Sequence, residues 1–288
     1  MRYASPAAFR VALETRLLAQ SRESGVDLNR LRRRAVFERI LSRLEGAEPG
    51  RWVLKGGMAL EVRWRDRARS TRDLDLALRG EVVDAAGLRI EIIDALSQDN
   101  DGDWLQFTVA EPRVVLPDEL GRPGWRFGVA AQLAGKTFAT VSVDVVVRPD
   151  ELTRTERLRL PGALEFAGIE TADVEAVDRA QHFAEKLHAL TRTYGERPNT
   201  RVKDLPDLLL LIEDGVTPSA EMRSAVESVF AARGTHPVPN ELPDPPAAWD
   251  RRYADLAADL DIRARTIDQA METLRAFWSE SLSTIEEH

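Results

Sequence analysis

Three aspartates and a glycine turn are the residues of this chain whose types and spacing suit chemistry. The stretch Arg69-Ser70-Thr71-Arg72-Asp73-Leu74-Asp75-Leu76-Ala77-Leu78 alternates charged and apolar side chains towards its end, as a strand with one wet face does. Side chains i and i+2 of a strand share a face, roughly 6.6 Å apart along the chain. Asp73 and Asp75 therefore point one way, while Leu74 and Leu76 point into a core. Two like charges on one face repel unless a cation sits between them. Hard divalent ions such as Mg²⁺ take such oxygens and keep waters for substrate phosphates. A third carboxylate, Asp144, interrupts the apolar run Val141-Ser142-Val143-Asp144-Val145-Val146-Val147, where an unpaired charge is costly. If that strand pairs beside Asp73 and Asp75, the three carboxylates can hold two metals about 3.5–4 Å apart. Taken alone, Asp-x-Asp also fits a wet strand edge; its occurrence with Asp144 and a glycine turn upstream points to metal chemistry.

That turn is Lys55-Gly56-Gly57, between the short apolar strand Trp52-Val53-Leu54 and a helix that starts at Met58. Backbone amides of a glycine turn approach a polyphosphate closely, and the helix start adds its positive pole. Walker and dinucleotide-binding glycine spacings are absent. The four histidines, 182, 188, 236 and 288, show no metal-ligand spacing.

The elements that must position these residues follow from periodicity. Residues 5–20 and 27–45 read as helices, the second with Leu28, Leu31, Val36, Ile40, Leu41 and Leu44 at helical spacing. Residues 82–97 read as a further helix. The acidic stretch Asp99–Asp103 has its glycine in the wrong place for a calcium loop and reads as a turn. Three β-rich stretches follow, 105–109, 127–133 and 138–147, the last two joined at Ala134-Gly135-Lys136. After Pro149 the pattern turns helical, over 173–194 and 203–214. Five prolines between His236 and Ala247 mark an extended linker, and apolar positions from Leu256 to Trp278 mark a closing helix. The expected division is an α+β domain at 1–150, a helical domain at 151–235, a proline-rich linker at 236–250 and a C-terminal helix at 251–288.

Composition narrows the function classes. The 288 residues contain no cysteine, which excludes a disulfide framework, cysteine-ligated zinc and a thiol nucleophile. No apolar run approaches the roughly 20 residues that span a bilayer, and charges interrupt the first residues where a signal peptide is apolar. A soluble cytoplasmic protein with no membrane partner is the expectation. The net charge of −8 hides an asymmetry: residues 1–80 hold 18 basic and 10 acidic side chains, the other 208 hold 22 and 38. Arg30, Arg32, Arg33, Arg34, Arg39 and Arg63, Arg65, Arg67, Arg69, Arg72 carry the basic excess. They form either a solvated helix face or a phosphate-facing surface, and Arg32, Arg33 and Arg34 are the RNA-binding candidates.

The order Lys55-Gly56-Gly57-x-x-Leu60, then Arg69-x-Thr71-x-Asp73-x-Asp75, resembles the AbiEii/AbiGii toxin family, the MenT-like members of the DNA polymerase β-type nucleotidyltransferases. So do Ala184-Glu185-Lys186-Leu187-x-Ala189-Leu190 and Arg201-x-Lys203-Asp204-Leu205-x-Asp207-Leu208. The superfamily's usual Gly-Ser is Gly-Gly here. The resemblance implies a mixed-sheet polymerase β-like domain followed by a helical domain. It also implies transfer of a nucleotide from an NTP, with Mg²⁺ or Mn²⁺, to an RNA acceptor such as the tRNA 3′ end, and a cognate antitoxin protein. By motif position Asp73 and Asp75 would hold metal, and Asp144 would be the third carboxylate, activating the attacking hydroxyl. Lys55, Gly56, Gly57, Thr71 and Arg69 would hold the nucleotide, and Lys186 would reach a phosphate. Asp204 would orient Lys186 or the nucleotide, with Asp207 as the alternative. Transfer to a protein hydroxyl and a non-catalytic nucleic-acid or partner-binding module are the competing readings.

Overall fold

The first helices begin where side-chain oxygens take up amides that a helix start leaves unpaired. Ser5 accepts the Ala8 N–H and Pro6 opens α1 (Pro6–Ser24), which stops at Gly25 with φ of 72°. Asp27 caps α2 (Leu28–Ala47) by accepting the Arg30 N–H. Caps of this kind each contribute about 1 kcal/mol and set the helix register. The structure is a computed structural model and describes residues 2–81, 84–115, 124–147, 152, 154–195 and 198–283.

The strands are β1 (Trp52–Lys55), β2 (Asp73–Leu78), β3 (Gln106–Val109), β4 (Arg113–Val115), β5 (Gly124–Leu133), β6 (Lys136–Val147), β7 (Thr155–Arg159) and β8 (Asp173–Val177). They form one mixed sheet of order β3-β5-β6-β2-β1-β8-β7, with β4 beside β5. Helices α3 (Gly56–Trp64) and α4 (Ala85–Ser97) connect them. Pairing is parallel between β2 and β6 and between β1 and β8, and antiparallel between β1 and β2 and between β5 and β6. Alternation divides the sheet's two faces. Leu74, Leu76, Phe127, Val129, Val143 and Val145 are buried in a core with Phe37, Ile40 and Leu44 of α2, and the alternate positions include Asp73, Asp75, Arg126, Ser142 and Asp144.

The Asp99–Asp103 turn is present, and arginines serve where a metal ion would in a calcium loop. Asp103 is fully buried; it receives Arg39 Nε and Arg43 Nη2, each at 2.6 Å, while Arg39 also bonds Asp101 and Arg43 lies 3.2 Å from Asp99. These arginines of α2 are structural.

The chain divides into two units, one of Met1–Asp66, Ser70–Leu152 and Glu156–Ala176, the other of Arg67–Arg69, Thr153–Thr155 and Val177–His288. The expected boundary at 150/151 lies outside the described residues, as do positions 82 and 83 of the expected 82–97 helix. The sheet-bearing unit extends beyond the expected boundary, because residues 155–159 and 173–177 form β7 and β8 rather than part of a helical domain. The sequence of β7, Thr-Glu-Arg-Leu-Arg, is that of a charged edge strand. The apolar residues of β8, Val174, Ala176 and Val177, run on into the helical pattern of α5 (Arg179–Thr191), which Asp178 caps.

The second unit contains α5, α6 (Asp204–Glu213), α7 (Ala220–Arg233), α8 (Asp250–Asp259) and α9 (Ile267–Ser283). Phe183 of α5 and Phe277 of α9 pack with ring centroids 5.0 Å apart. The single closing helix expected over 251–288 is two helices. Asp261, with φ of 51°, and the residues up to Thr266 separate them, since a non-glycine residue in that region interrupts α geometry. The proline segment has no helix or strand between Gly234 and Pro246, and Trp278 Nε1 donates to the Pro239 carbonyl at 2.8 Å.

Two stability predictions follow from buried charges. Arg43→Ala leaves Asp103 partly uncompensated in the core and should cost roughly 3–5 kcal/mol in chemical denaturation; a loss below 1 kcal/mol contradicts the structural role. Glu38 accepts the Gly162 and Ala163 amides at 2.9 Å, yet burial pushes its carboxyl from 4.5 up to about 7. Between those values the unfolded chain holds fewer protons, so this group lowers stability as pH rises from 4.5 to 7 and adds no slope above. The stability difference between the natural chain and Glu38→Gln should fall by about 3 kcal/mol across that window. A pH-independent difference would contradict it.

Candidate active site

The β5–β6 hairpin decides which side chain faces Asp144. Its two-residue turn, Ala134-Gly135, has φ of 52° and 69°, the doubly left-handed turn that matches right-twisted strands. Counting evenly from that turn puts Trp125 opposite Asp144. An irregularity between Ala131 and Gln132 shifts the register by one, and Arg126 pairs with Asp144 instead. A one-residue slip exchanges the two faces of a strand, so this bulge turns an arginine, not a tryptophan, towards the carboxylates.

The registers then align a row of charges across four strands: Arg126 of β5, Asp144 of β6, Asp75 of β2 and Lys55 of β1. The row beside it holds Gly128, Ser142 and Asp73. Adjacent strands lie about 4.8 Å apart, so Asp75 and Asp144 are nearest neighbours of like charge, a destabilising pairing in itself. Arg126 offsets it. Its Nε and Nη2 donate to the two Asp144 oxygens at 2.7 and 2.6 Å, and Nη2 lies 3.8 Å from Asp73. The hydrogen bonds to Asp144, with the charges of Asp144, Asp73 and Asp75, hold the Arg126 pKa above its ordinary value against partial burial.

Gly56 is fixed by the same carboxylates. Its φ is +60°, and a Cβ there would stand 1.9 Å from Asp75 Oδ2, so no other residue fits without moving Asp75. Lys55 is buried at the end of β1, Gly57 is buried in the first turn of α3, and no side chain caps that helix. Its first amides and positive pole thus begin beside Asp75. The Thr71 hydroxyl donates to the Asp73 carbonyl at 3.1 Å and steadies the start of β2.

A cleft of ≈ 510 Å³ adjoins Asp73, lined by Arg33 of α2, Arg72, Arg113 of β4 and Arg126, with Thr140 and Ser142 among its other walls. This corrects the expectation for the arginine run. Consecutive helical residues are about 100° apart and cannot share a face. Arg32 turns to Glu14 at 2.7 Å, and Arg34 to Asp66 at 2.6 Å and Glu61 at 3.4 Å; only Arg33 of the three lines the cleft. Most of the basic excess is likewise neutralised within the fold, Arg30 by Glu61, Arg39 and Arg43 by Asp103, and Arg63 by Glu156.

The second unit gathers the remaining candidates into a buried ion network. Lys186 Nζ lies 2.9 Å from Asp204 and 2.7 Å from Asp207. Arg201 reaches Asp204 at 2.5 Å, and Arg69 binds Asp207 at 3.1 Å. Burial works against the Lys186 ammonium, but Asp204 and Asp207 outweigh it and its pKa is raised. For Asp204, burial is outweighed by Lys186 and Arg201, and its pKa is lowered. Both of the alternatives, Asp204 and Asp207, thus hold Lys186. Arg69 and Thr71, two residues apart in sequence, have different local partners, Asp207 and the Asp73 backbone.

Arg126 and Arg113 are the residues that sequence patterns missed. The alternation Trp125-Arg126-Phe127-Gly128-Val129 signals that Arg126 shares a polar face with Gly128, but only the bulge identifies the residue opposite. As a metal centre, Asp73, Asp75 and Asp144 offer the hard oxygen donors that suit Mg²⁺ or Mn²⁺. Among the described residues no three His, Asp or Glu side chains already stand close enough to hold an ion, and Asp144 is turned to Arg126. The donor chemistry fits; the rotamer of Asp144 is set by its guanidinium partner.

No curated protein sequence matches the chain. Similar solved structures include MenT4, a nucleotidyltransferase toxin from Mycobacterium tuberculosis, at 22% identity over 88% of this chain and 91% of that one, with a TM-score of 0.47. JHP933 from Helicobacter pylori is 14% identical over 88% and 97%, with a TM-score of 0.43. An antigenic nucleotidyltransferase-like protein from Paracoccidioides brasiliensis is 16% identical over 78% and 93%, with a TM-score of 0.40. The family profile for nucleotidyl transferase AbiEii toxins of type IV toxin–antitoxin systems matches residues 39–276. The chain is therefore a member of the AbiEii nucleotidyltransferase toxin family, with an α+β fold.

Proposed function

We propose that the chain transfers a nucleotidyl group from an NTP to the 3′ end of an RNA, a tRNA in particular, and so blocks translation in the cytoplasm until a cognate antitoxin protein counters it. The observation that carries this reading is the strand register that stands Asp75 beside Asp144, with Asp73 on the same face and the uncapped start of α3 against Asp75. Membership of the AbiEii family supplies the reaction class. No helix of the described residues is long and apolar enough to cross a membrane.

The acceptor hydroxyl oxygen forms a bond to the α-phosphorus of the NTP as the bond from that phosphorus to the bridging oxygen breaks and pyrophosphate leaves. Asp144 takes the hydroxyl proton. Asp73 and Asp75 would hold Mg²⁺ or Mn²⁺, which when bound would neutralise phosphate charge and polarise the α-phosphate. Gly56 and Gly57 present the first amides of α3 to the triphosphate, and Lys55 balances its charge. Thr71 supports the nucleotide indirectly, through the start of β2. Within the second unit, Asp204 and Asp207, the latter shared with Arg69, fix the Lys186 ammonium. The acceptor strand follows the arginine-lined cleft beside Asp73, where guanidinium forks match phosphate oxygens.

Incubation with total tRNA, Mg²⁺ and each NTP labelled at its α-phosphate should place label on tRNA. Asp73→Asn should reduce incorporation at least about 100-fold, the scale on which removed transition-state electrostatics act. Label on protein would favour transfer to a protein hydroxyl, and full incorporation by Asp73→Asn would sink the metal site. The cleft separates the arginines. Arg33→Ala and Arg113→Ala should each raise the tRNA KM roughly 3- to 10-fold with the NTP KM unchanged, whereas Arg32→Ala should leave both unchanged. Equal effects from Arg32 and Arg33 would overturn the cleft as the acceptor path.

A further inference from the structure

Arg126 stands in two places at once: it is bonded to Asp144 and it lines the arginine cleft. Its guanidinium satisfies both oxygens of a carboxylate that has another carboxylate, Asp75, as its strand neighbour, and it lies 3.8 Å from Asp73. It is therefore a monovalent cation among three aspartates. A divalent ion held by Asp73 and Asp75 would compete with it for the electrostatic field that keeps the guanidinium on Asp144. Arginine remains protonated throughout the physiological range, so this competition is resolved by movement, not by titration. The side chain is 45% exposed, and Thr140, Ser142 and Gly128 at the cleft wall are small, which leaves the guanidinium room to turn.

We propose that Arg126 is an exchangeable counter-cation: a divalent metal entering the carboxylate row displaces it from Asp144, and the displaced guanidinium binds a nucleic-acid phosphate in the cleft. Metal loading thereby frees Asp144 for the acceptor hydroxyl and adds an arginine to the acceptor's path in one movement. By linkage, the acceptor and the metal each strengthen binding of the other. This rests on the nucleotidyl-transfer reading and assigns Arg126 a positioning role, exerted through Asp144 and the acceptor backbone.

The test is Mn²⁺ binding measured by electron paramagnetic resonance on the full chain, without nucleotide. Arg126→Ala should bind Mn²⁺ at least 5-fold more tightly than the natural chain, and Arg126→Lys, which cannot make the two-pronged bond, should fall between them. Arg113→Ala, which removes the same charge from the cleft without touching Asp144, should change the affinity less than 2-fold. Adding a short single-stranded RNA should tighten Mn²⁺ binding in the natural chain and not in Arg126→Ala, whose tRNA KM should also rise. Thermal unfolding of Arg126→Ala, an exposed substitution, verifies that it is folded. Equal Mn²⁺ affinity of the natural chain and Arg126→Ala would overturn the exchange while leaving the nucleotidyl-transfer reading in place. So would an equal gain from Arg113→Ala, which would show a general effect of charge. Absence of Mn²⁺ binding from all of these, and from an Asp73→Asn blank, would overturn both.

Discussion

Two aspartates on adjacent parallel strands, with a third on the same face, impose the constraint around which the sheet-bearing unit is organised. Asp75 and Asp144 are register partners between β2 and β6, and side chains so placed cannot turn away from each other without leaving the polar face. The fold answers with positive charge on either side: Arg126 beyond Asp144, Lys55 beyond Asp75, and the N-terminal pole of α3 against Asp75. Each answer has its own structural requirement. Arg126 needs the one-residue register shift between β5 and β6, Lys55 needs the antiparallel register of β1 on β2, and the pole of α3 needs a glycine at 56. A purely structural sheet would have little use for this arrangement, since apolar residues at 75 and 144 would remove the repulsion altogether. Its retention fits a site that takes a further cation.

The ion network of the second unit has a different character. Lys186, Asp204 and Asp207 are almost wholly buried, and two carboxylates are shared among three cations, Lys186, Arg69 and Arg201. Buried pairs add little net stability but fix geometry, because any rearrangement strands a charge in a low dielectric. The network therefore sets the position of the Lys186 ammonium. The carboxylate row of the first unit is wetter, with side-chain exposures of 40% at Asp73 and 20% at Asp144, which suits groups that must exchange partners.

Much of this was legible in the sequence because it rests on short-range pattern. The alternation around Asp73 and Asp75, a lone charge in the apolar run around Asp144, and glycines between a strand and a helix each report on their own surroundings. What was not legible depends on pairing at a distance. Arg126 becomes the partner of Asp144 only through a bulge that no local composition marks. The arginine run 32–34 looked like one surface, but helical geometry spreads it over three directions, two of them ending on acids of other elements. The strands β7 and β8 escaped for a related reason: one is charged enough to pass for a loop, and the other merges with the apolar period of α5. The net charge of residues 1–80 misled in the same way, since most of that excess is neutralised by acids distant in sequence.

The central claim is that the carboxylate row is a divalent-metal site for a nucleoside triphosphate. The most direct measurement is anomalous diffraction from crystals of the full chain soaked with Mn²⁺ and a non-hydrolysable NTP analogue. The account predicts an Mn²⁺ peak within coordination distance of oxygens of both Asp73 and Asp75, with the triphosphate along the first turn of α3 and Arg126 withdrawn from Asp144. A triphosphate bound elsewhere, or Mn²⁺ absent from these aspartates, would contradict it.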